Sequence, residues 1–342
     1  MYDFCTYFDH NYMPKGLALY NSLIRHCPDF RLFVLCLSKE CYSVLSELSL
    51  KNVYLICLEE LEASDWKLLE AKNNRTLVEY YFTLTPSLPL YILNRYPEIK
   101  AITYLDSDLY FYDDPKPIFE EIADNSVAII PHRFAAGLEA KKVCGNFNVG
   151  WITFRRDENG LACLNWYREK CIEWCYEIVE PERYADQKYL DYFQSKFQKV
   201  AEIQNKGANL APWNSNNYNI CIKDGRIYVD DDRLIFFHFN GLKHILGPLY
   251  DSGFSNYDAD FNKNIRKHIY APYLQTLIPL NRQLRKQIKI GQLNGIRGQE
   301  SNSRYAILYR LFPKLYKALK KCKRTVNRIK KVLLTGTYVL MR

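Results

Sequence analysis

The sequence predicts an α/β protein in which a mixed, mostly parallel sheet is flanked by helices and followed by a basic helical tail. Short apolar runs rich in β-branched residues alternate with helical runs over the first 105 residues, as in parallel sheets with crossover helices. Hydrophobic residues make up 48% of the 342 residues, with 28 Tyr and 18 Phe, which supports a core and argues against disorder. From residue 281 on, 17 Lys and Arg stand against one acidic residue, so the tail differs in character from the body.

Four strands and three helices are predicted in the first 105 residues. The strands are expected at 2–7, 31–37, 52–58 and 101–105, and the helices at 14–27, 39–48 and 77–95. Pro14 suits a first helical turn, where the missing N–H leaves no helical hydrogen bond unmade. Pro86 and Pro89 are expected to interrupt the third helix.

The alternation becomes looser after residue 114. A helix is expected to begin at Pro115 or Pro117, with Asp114 as its cap. Further strands are expected at 127–131, 150–154, 226–230 and 234–239, and further helices at 160–177 and 186–193. The stretch 205–218 is rich in Asn, Gly, Pro and Trp, a composition typical of a functional loop.

The N-terminal residues and the cysteines favour a cytoplasmic protein. Met1 is followed by Tyr2 and Asp3 without a basic segment or a long apolar run, so no signal peptide is expected. No stretch approaches the roughly 18 charge-free apolar residues of a membrane-spanning helix. The 11 cysteines are scattered without paired metal-binding spacing, and we expect them to be reduced.

Asp106 and Asp108, in the segment AITYLDSDLYFYDD, follow a predicted buried strand directly. In an open parallel sheet, ligands bind at the carboxyl ends of the strands, and two carboxylates held together there are relieved by a divalent cation such as Mg²⁺ or Mn²⁺. From this segment alone, it is equally plausible that Asp106 and Asp108 are solvated turn residues that bind no metal.

His238 ends another apolar strand, LIFFHF, and a glycine-containing turn with Lys243 follows. Alone, such a histidine is more often a satisfied core residue than a ligand. Together with the two aspartates it becomes a candidate imidazole ligand, which favours Mn²⁺ over Mg²⁺, and Lys243 becomes a candidate charge for a phosphate.

Six segments stand out in chain order: TYFDHNYMPKGLALYNSL, YLDSDLYF, CGNFNVGWITF, YADQKYLDYF, NLAPWN and FFHFNGLK. Together they resemble the retaining GT-A glycosyltransferases of family 8 and their bacterial relatives, over roughly residues 1 to 245. The resemblance implies a GT-A, Rossmann-like fold and the metal-dependent transfer of a hexose from a UDP-sugar to a hydroxyl. The implied acceptor is a glycan or glycolipid of the lipopolysaccharide, O-antigen or capsule type.

The resemblance also implies roles for single positions. Asp106, Asp108 and His238 match the ligands of the Mn²⁺ or Mg²⁺ ion. Positions matching donor binding are Thr6, Asp9, Asn11, Tyr12, Ser107 and Lys243, and those matching the reacting sugar are Asn148, Asp186 and Gln187. Either Asp186 acts as the nucleophile of a double displacement, or attack occurs from the front face with help from the leaving phosphate.

Two departures from the family pattern concern donor binding. An Arg is usual in the helix before the DxD strand, but VEYYFTL has none, and Arg75 is the candidate substitute. The Pro-Trp that usually follows the Lys of the HFNGLK segment is also missing.

Trp213 and Asn214, in NLAPWN, have two interpretations of equal weight. Either the Trp is a platform on which a sugar ring stacks, or it is packed under a loop.

Two rival functions belong to other classes. A HAD-type phosphatase also has an apolar strand followed by DxD, but on its first strand and with Thr or Val where Tyr110 stands here. A non-catalytic protein that binds sugar nucleotides or glycans is the other rival. No nucleic-acid-binding module is recognisable, so nucleic acid is not an expected partner.

The tail is expected to form a basic amphipathic helix over residues 307–334. Its apolar positions are Ile307, Leu311, Leu315, Leu319, Cys322, Val326, Ile329 and Leu333, and its basic positions are Arg310, Lys317, Lys320, Lys321, Arg324, Arg328 and Lys331. Such a helix lies on anionic membranes, here the inner face of the plasma membrane, although packing on the body is the alternative. We therefore expect a catalytic domain at 1–250, an extension at 251–302 and a membrane-associating helix at 303–342.

Overall fold

The computed structural model describes residues 1–288 and 313–341, and a seven-stranded sheet forms its centre. Its strands are β1 (Tyr2–Phe8), β2 (Phe30–Cys36), β3 (Val53–Cys57), β4 (Ala101–Leu105), β6 (Val127–Pro131), β7 (Phe147–Arg155) and β8 (Val200–Glu202), in the order β3-β2-β1-β4-β7-β6-β8. Four of the six pairings are parallel, and β7 runs antiparallel to both β4 and β6. The prediction of a mixed, mostly parallel sheet is confirmed.

Helices cover both faces of this sheet, as the alternating pattern predicted. They are α1 (Met13–His26), α2 (Lys39–Leu48), α3 (Leu58–Ser64), α4 (Trp66–Lys72), α5 (Leu77–Arg95), α6 (Lys116–Ile122), α7 (Glu158–Glu173), α8 (Phe193–Lys196) and α9 (Ala271–Gln287). Side chains of β1 alternate between two apolar clusters: Phe4 and Phe8 pack with α1 and α2, whereas Cys5 packs with α5 and α7. This alternation is the two-residue period of a strand buried on both faces.

The predicted interruption of α5 is wrong, because the helix continues through both Pro86 and Pro89. Each proline removes one backbone donor, and the helix accommodates this in the core, where Leu84, Leu88 and Ile92 are fully buried against the sheet. The burial of that apolar face offsets the lost hydrogen bonds.

Smaller sheets bring the second half of the chain to the carboxyl end of β4. The short strand β5 (Leu109–Phe111) pairs antiparallel with β12 (Phe236–His238), and this register sets His238 opposite Leu109. A second small sheet consists of β9 (Ile220–Lys223), β10 (Arg226–Val229) and β11 (Asp232–Arg233). The β5–β12 pairing therefore joins the two segments that carry the predicted metal ligands.

The C-terminal segment returns to the body. Helix α10 (Pro313–Thr335) agrees with the predicted helix from residue 313 on, while positions 289–312 lie outside the described residues. After it, β15 (Tyr338–Leu340) joins β13 (Lys243–Leu246) and β14 (Leu249–Asp251), a pairing that was not predicted from the sequence. Because residue 250 lies inside β14, the predicted domain boundary passes through a strand. No helix within 1–288 and 313–341 is long and apolar enough to cross a membrane.

Candidate metal centre and its cavity

Asp106, Asp108 and His238 meet where β4 and β12 end. His238 Nε2 lies 3.1 Å from Asp108 Oδ1 and 3.7 Å from Asp106 Oδ2. One ligand atom from each of the three residues lies within 4.8 Å of the others. Two carboxylates and an imidazole nitrogen suit a divalent cation of the Mn²⁺ or Mg²⁺ type, and the imidazole favours Mn²⁺. The residues present therefore fit the predicted cation.

Lys15 belongs to this cluster, and sequence reasoning missed it. The side chain lies on α1 with 4% of its surface exposed, and its Nζ lies 3.2 Å from Asp108 Oδ2. The ammonium also lies 4.7 Å from the centre of the Tyr12 ring. A signal was present in the sequence, since a lysine on the buried face of an apolar helix requires a charged partner.

The pKa values in the cluster follow from burial and pairing. Burial alone would raise the pKa of Asp108, but Lys15 and His238 outweigh it and hold that pKa well below its usual range. For His238 and Lys15, burial favours the neutral form, and the carboxylate of Asp108 offsets it, so both pKa values are raised. The pKa of Asp106 is raised, first by burial and then by repulsion from Asp108, while His238 opposes both.

A cavity of about 440 Å³ opens on the cluster. Its lining residues include Tyr7, Asp9, Tyr12, Lys15, Tyr81, Asp106, Ser107, Asp108, His238, Gly241 and Lys243. The first two turns of α5 form an apolar part of the wall through Leu77, Val78 and Phe82. The cavity thus has a charged end and an aromatic, apolar side, and this combination of apolar walls with a few polar groups is typical of ligand-binding pockets.

The predicted nucleoside-binding residues lie around the turn between β1 and α1. Asp9 Oδ1 accepts the backbone N–H groups of Asn11 and Tyr12 at 2.9 and 3.0 Å, and its Oδ2 accepts the amide of Asn11 at 2.9 Å. Asp9 therefore shapes this turn. Thr6 is fully buried, and its hydroxyl has no hydrogen-bond partner within the described residues.

Asp186 and Gln187 lie beside the cavity rather than in its lining. Asp186 is 5% exposed and accepts a hydrogen bond from Thr85 Oγ1 at 2.8 Å, and that hydroxyl lies 3.0 Å from Tyr7 OH. Burial, followed by the charge of Asp106, raises the pKa of Asp186 to about 7. The amide of Gln187 donates to the carbonyl of Cys144 at 2.9 Å.

Asn148 directly contacts His238 on the side of the ring away from the carboxylates. Its Oδ1 lies 3.2 Å from His238 Nδ1, and its Nδ2 lies 3.3 Å from His132 Nε2. His132, which sequence reasoning also missed, follows β6 just as His238 ends β12. Burial lowers its pKa to about 3, so it is neutral at physiological pH.

Three predicted ligand-binding side chains are engaged elsewhere. Arg75 donates to Thr83 Oγ1 and to the carbonyl of Ile172, at 2.9 and 2.6 Å, and it is not among the residues that line the cavity. Trp213 is 2% exposed and its indole N–H donates to the carbonyl of His132, and Asn214 is fully buried and donates to the same carbonyl. The packed alternative for Trp213 is therefore the one that the structure shows.

Solved structures with a similar fold show which fold this chain has. The chain matches the galactosyltransferase LgtC, solved with donor and acceptor sugar analogs, with a TM-score of 0.53 and 16% identity over 84% of this chain and 100% of that one. It matches the bifunctional glycosyltransferase WbbM, in its apo form, with a TM-score of 0.50 and 16% identity over 84% of this chain and 51% of that one. These likenesses show that the chain has the GT-A fold.

Sequence relatives define the family more closely. The chain is 35% identical over 248 residues to YfnF of Bacillus subtilis (strain 168), covering 70% of this chain and 81% of YfnF. It is 32% identical over 279 residues to YfnD of the same organism, covering 81% of this chain and 88% of YfnD. No model of a known protein family matches the chain. The chain belongs to the family that contains YfnF and YfnD, two proteins described as uncharacterized.

Proposed function

We propose that this protein is a metal-dependent glycosyltransferase that moves a hexose from a UDP-sugar to a hydroxyl of a glycan or glycolipid. The observation that carries this function is the meeting of Asp106, Asp108 and His238 at one end of the cavity, on a fold of the GT-A class. Acceptors of the lipopolysaccharide, O-antigen or capsule type fit a transferase that works at a membrane surface.

The donor would lie with its diphosphate at the charged end of the cavity. Asp106, Asp108 and His238 would hold the divalent cation, which would stabilise negative charge on the leaving diphosphate. Lys243, which lines the cavity, adds a further positive charge there, as Lys15 does through its place beside Asp108. The uridine would lie toward the β1–α1 turn, where Asp9 and Tyr12 line the wall.

Transfer with retention is part of the proposal. Asp186 is buried and hydrogen-bonded to Thr85, so its carboxylate is poorly placed to attack the sugar carbon unless the site rearranges. Front-face attack by the acceptor, assisted by the leaving phosphate, is therefore the route we favour. Proton NMR of the first-formed product from an α-linked donor tests it, and a β linkage would contradict retention.

Release of UDP from UDP-sugars tests the reaction itself. Wild-type protein should release UDP in the presence of Mn²⁺ and should release no phosphate from a phosphomonoester. Asp108→Asn should lose at least about 100-fold in turnover, because it removes a ligand charge where the transition-state charge is stabilised. Full turnover by folded Asp108→Asn would rule out this metal site. Phosphate release would favour the phosphatase, and neither activity would favour a binding protein.

Association with the inner face of the plasma membrane is also proposed, on the basis of the C-terminal surface. Exposed basic side chains of α10 include Lys321, Lys323, Arg324 and Lys330, and exposed apolar ones nearby in the chain are Val326, Leu333 and Leu334. Across the small sheet, Leu246 pairs with Leu249 and Leu249 with Leu340, which forms a leucine row whose ends are 65% and 57% exposed. Apolar side chains beside basic ones suit an anionic lipid surface.

A further inference from the structure

The hydrogen on His238 can be placed from its neighbours. The backbone N–H of Gly150 donates to Asn148 Oδ1 at 3.0 Å, and a backbone N–H can only donate. The Asn148 atom at that point is therefore the amide oxygen. His238 Nδ1 lies 3.2 Å from the same oxygen and must carry a hydrogen to bond with it. Nε2 is the nitrogen that faces Asp106 and Asp108.

The same reasoning extends from Asn148 to His132. With its oxygen assigned, the amide nitrogen of Asn148 is the donor to His132 Nε2 at 3.3 Å. His132 Nδ1 lies 3.2 Å from the carbonyl oxygen of Asn146, which can only accept. His132 therefore carries its hydrogen on Nδ1. Each hydrogen bond from Asn146 through His132 and Asn148 to His238 has a single allowed direction.

The surroundings hold this chain of hydrogen bonds rigidly. His132 and Asn148 are each 5% exposed and His238 is 2% exposed, so water competes little for their polar atoms. Trp213 packs edge-on against both imidazole rings, with ring centres 5.3 and 5.1 Å away. A Cβ at Gly150 would lie 2.6 Å from Asn148 Oδ1, so only glycine fits beside the amide.

We propose that His132 and Asn148 are positioning residues, which fix the tautomer and the ring orientation of His238 so that Nε2 is presented to a divalent cation. Metal-binding histidines depend on such a partner at their other nitrogen, and its loss costs about 10–100-fold in metal affinity or activity. Asn148 is then a support of the metal centre rather than a contact of the donor sugar. Trp213 and Asn214 both donate hydrogen bonds to the backbone carbonyl of His132, so they hold the His132 end of this series of hydrogen bonds in place.

Because this inference rests on the proposed metal site, the first test measures Mn²⁺ affinity by EPR titration of the full chain and does not use activity. Asn148→Leu should weaken Mn²⁺ binding by about 10–100-fold. His132→Phe, which keeps a ring but loses both nitrogens, should weaken it less, because His132 acts through Asn148. Asn148→Asp keeps an acceptor for Gly150 and His238 Nδ1 and should restore most of the affinity.

Thr153→Val is the matched control, since Thr153 is a buried, hydrogen-bonded residue of β7, like Asn148, but its partners are Thr103 and Trp151. It should leave Mn²⁺ affinity unchanged. Wild-type protein that binds neither Mn²⁺ nor Mg²⁺ would overturn the metal site and the positioning roles together. Wild-type protein that binds Mn²⁺, with unchanged affinity in Asn148→Leu and His132→Phe, would overturn the positioning roles alone.

A second measurement does not depend on the folding of any variant. Nitrogen-15 NMR of histidine-labelled wild-type protein distinguishes the two neutral tautomers. His132 in metal-free protein and His238 in Mg²⁺-saturated protein should both carry hydrogen on Nδ1. A hydrogen on Nε2 of either residue would contradict the assigned directions.

Discussion

Asp108 has two cationic partners close by, whereas Asp106 has one at a greater distance. Lys15 Nζ and His238 Nε2 lie 3.2 and 3.1 Å from the carboxylate of Asp108, and Asp106 lies 3.7 Å from His238 and accepts the hydroxyl of Tyr104 at 3.0 Å. This asymmetry explains why the pKa of Asp108 is lowered and that of Asp106 is raised. In the metal-free protein, Lys15 therefore supplies positive charge next to the position that a cation would occupy.

Lys15→Met should lower stability and tighten metal binding at the same time. Without Lys15, the buried carboxylate of Asp108 keeps only His238, so the free energy of unfolding of metal-free protein should fall by roughly 1–3 kcal/mol. Mn²⁺ should bind more tightly, because it no longer competes with the ammonium, and saturating Mn²⁺ should reduce the stability difference. Urea denaturation with and without Mn²⁺ checks both effects.

Lys116→Met is a control for the loss of a lysine charge, since Lys116 pairs with Glu120 at the surface. It should change neither stability nor Mn²⁺ affinity. Weaker Mn²⁺ binding in Lys15→Met would show that Lys15 supports the cation instead of competing with it.

Asp186 should make the stability of the protein depend on pH. Its pKa is raised from 3.8 to about 7, so between these values the folded chain holds a proton that the unfolded chain has released. The free energy of unfolding therefore decreases as pH rises through this window. Asp186→Asn removes the titrating carboxyl, so the free energy of unfolding of this variant relative to wild type should improve by roughly 1–4 kcal/mol between pH 4 and pH 8.

Urea titrations at several pH values measure the difference between Asp186→Asn and wild type, in which the other titrating groups cancel. The exposed residue Asp124, changed to Asn, is the matched control and should show a constant difference. A constant difference for Asp186→Asn as well would mean that Asp186 is ionised in the folded protein near pH 5.

Helix α5 joins the core to the cavity. Thr76 and Glu79 form a reciprocal capping box at its start, and Glu79 also accepts the backbone N–H of Glu177 at 3.0 Å. The turns just after this cap line the cavity through Val78 and Tyr81. Fraying of the first turn of α5 would therefore displace side chains that line the cavity.

Thr76→Ala should lower the free energy of unfolding by about 1 kcal/mol, the usual loss for an N-cap residue. It should also weaken UDP binding, because the first turn frays, while Mn²⁺ affinity stays unchanged. Thr325→Ala, in the middle of α10, is a control without a capping role and should not lower stability. Isothermal titration with UDP and with Mn²⁺ separates the two sites, and equal losses for both ligands would contradict a local effect.

Six of the seven strands of the central sheet and the three candidate metal ligands could be predicted from local patterns, namely apolar runs followed by Asp106 and Asp108 or ended by His238. The three-residue strand β8 was not predicted. The partners of Lys15 and His132 could not be predicted, because Asp108 and Asn148 lie 93 and 16 positions away in the chain. For Lys15, its place on an apolar helix face indicated only that some charged partner was needed. The strand β15 has three residues and forms only because β14 provides its partner. Local propensity carries no information about such long-range pairings.

The C-terminal segment both packs on the rest of the protein and exposes a basic surface. Arg328 donates to Asp251 at 2.7 Å, Val332 is fully buried and Thr337 accepts Ser252 through its backbone carbonyl. Two residues of the predicted basic face, Arg328 and Lys331, thus contact the body, since Lys331 lies 3.3 Å from Asn256 Oδ1. The charges left for a membrane are those that point to solvent.

Deletion of residues 336–342 should destabilise the protein, because it removes β15 and the hydrogen bonds to Ser252 and Arg266. Replacing Arg328 by Gln should also lower the free energy of unfolding, because Asp251, 2% exposed, loses its cationic partner. A thermal melt of each variant checks the effect. A deletion variant that melts with wild-type protein would show that β15 contributes nothing to the fold in solution.

Membrane binding is tested separately by changing only exposed charge. Replacing Lys321, Lys323, Arg324 and Lys330 together by Gln should leave the melting temperature unchanged but abolish sedimentation with anionic phosphatidylserine vesicles, because each charge near the leaflet contributes about 1 kcal/mol. Wild-type binding should weaken as salt rises, since the Debye length is about 10 Å at 0.1 M.

The matched control replaces four exposed lysines of the body, Lys39, Lys51, Lys100 and Lys142. Equal losses in both sets would indicate general charge attraction, and continued sedimentation of the α10 variant would rule out the tail as the membrane contact.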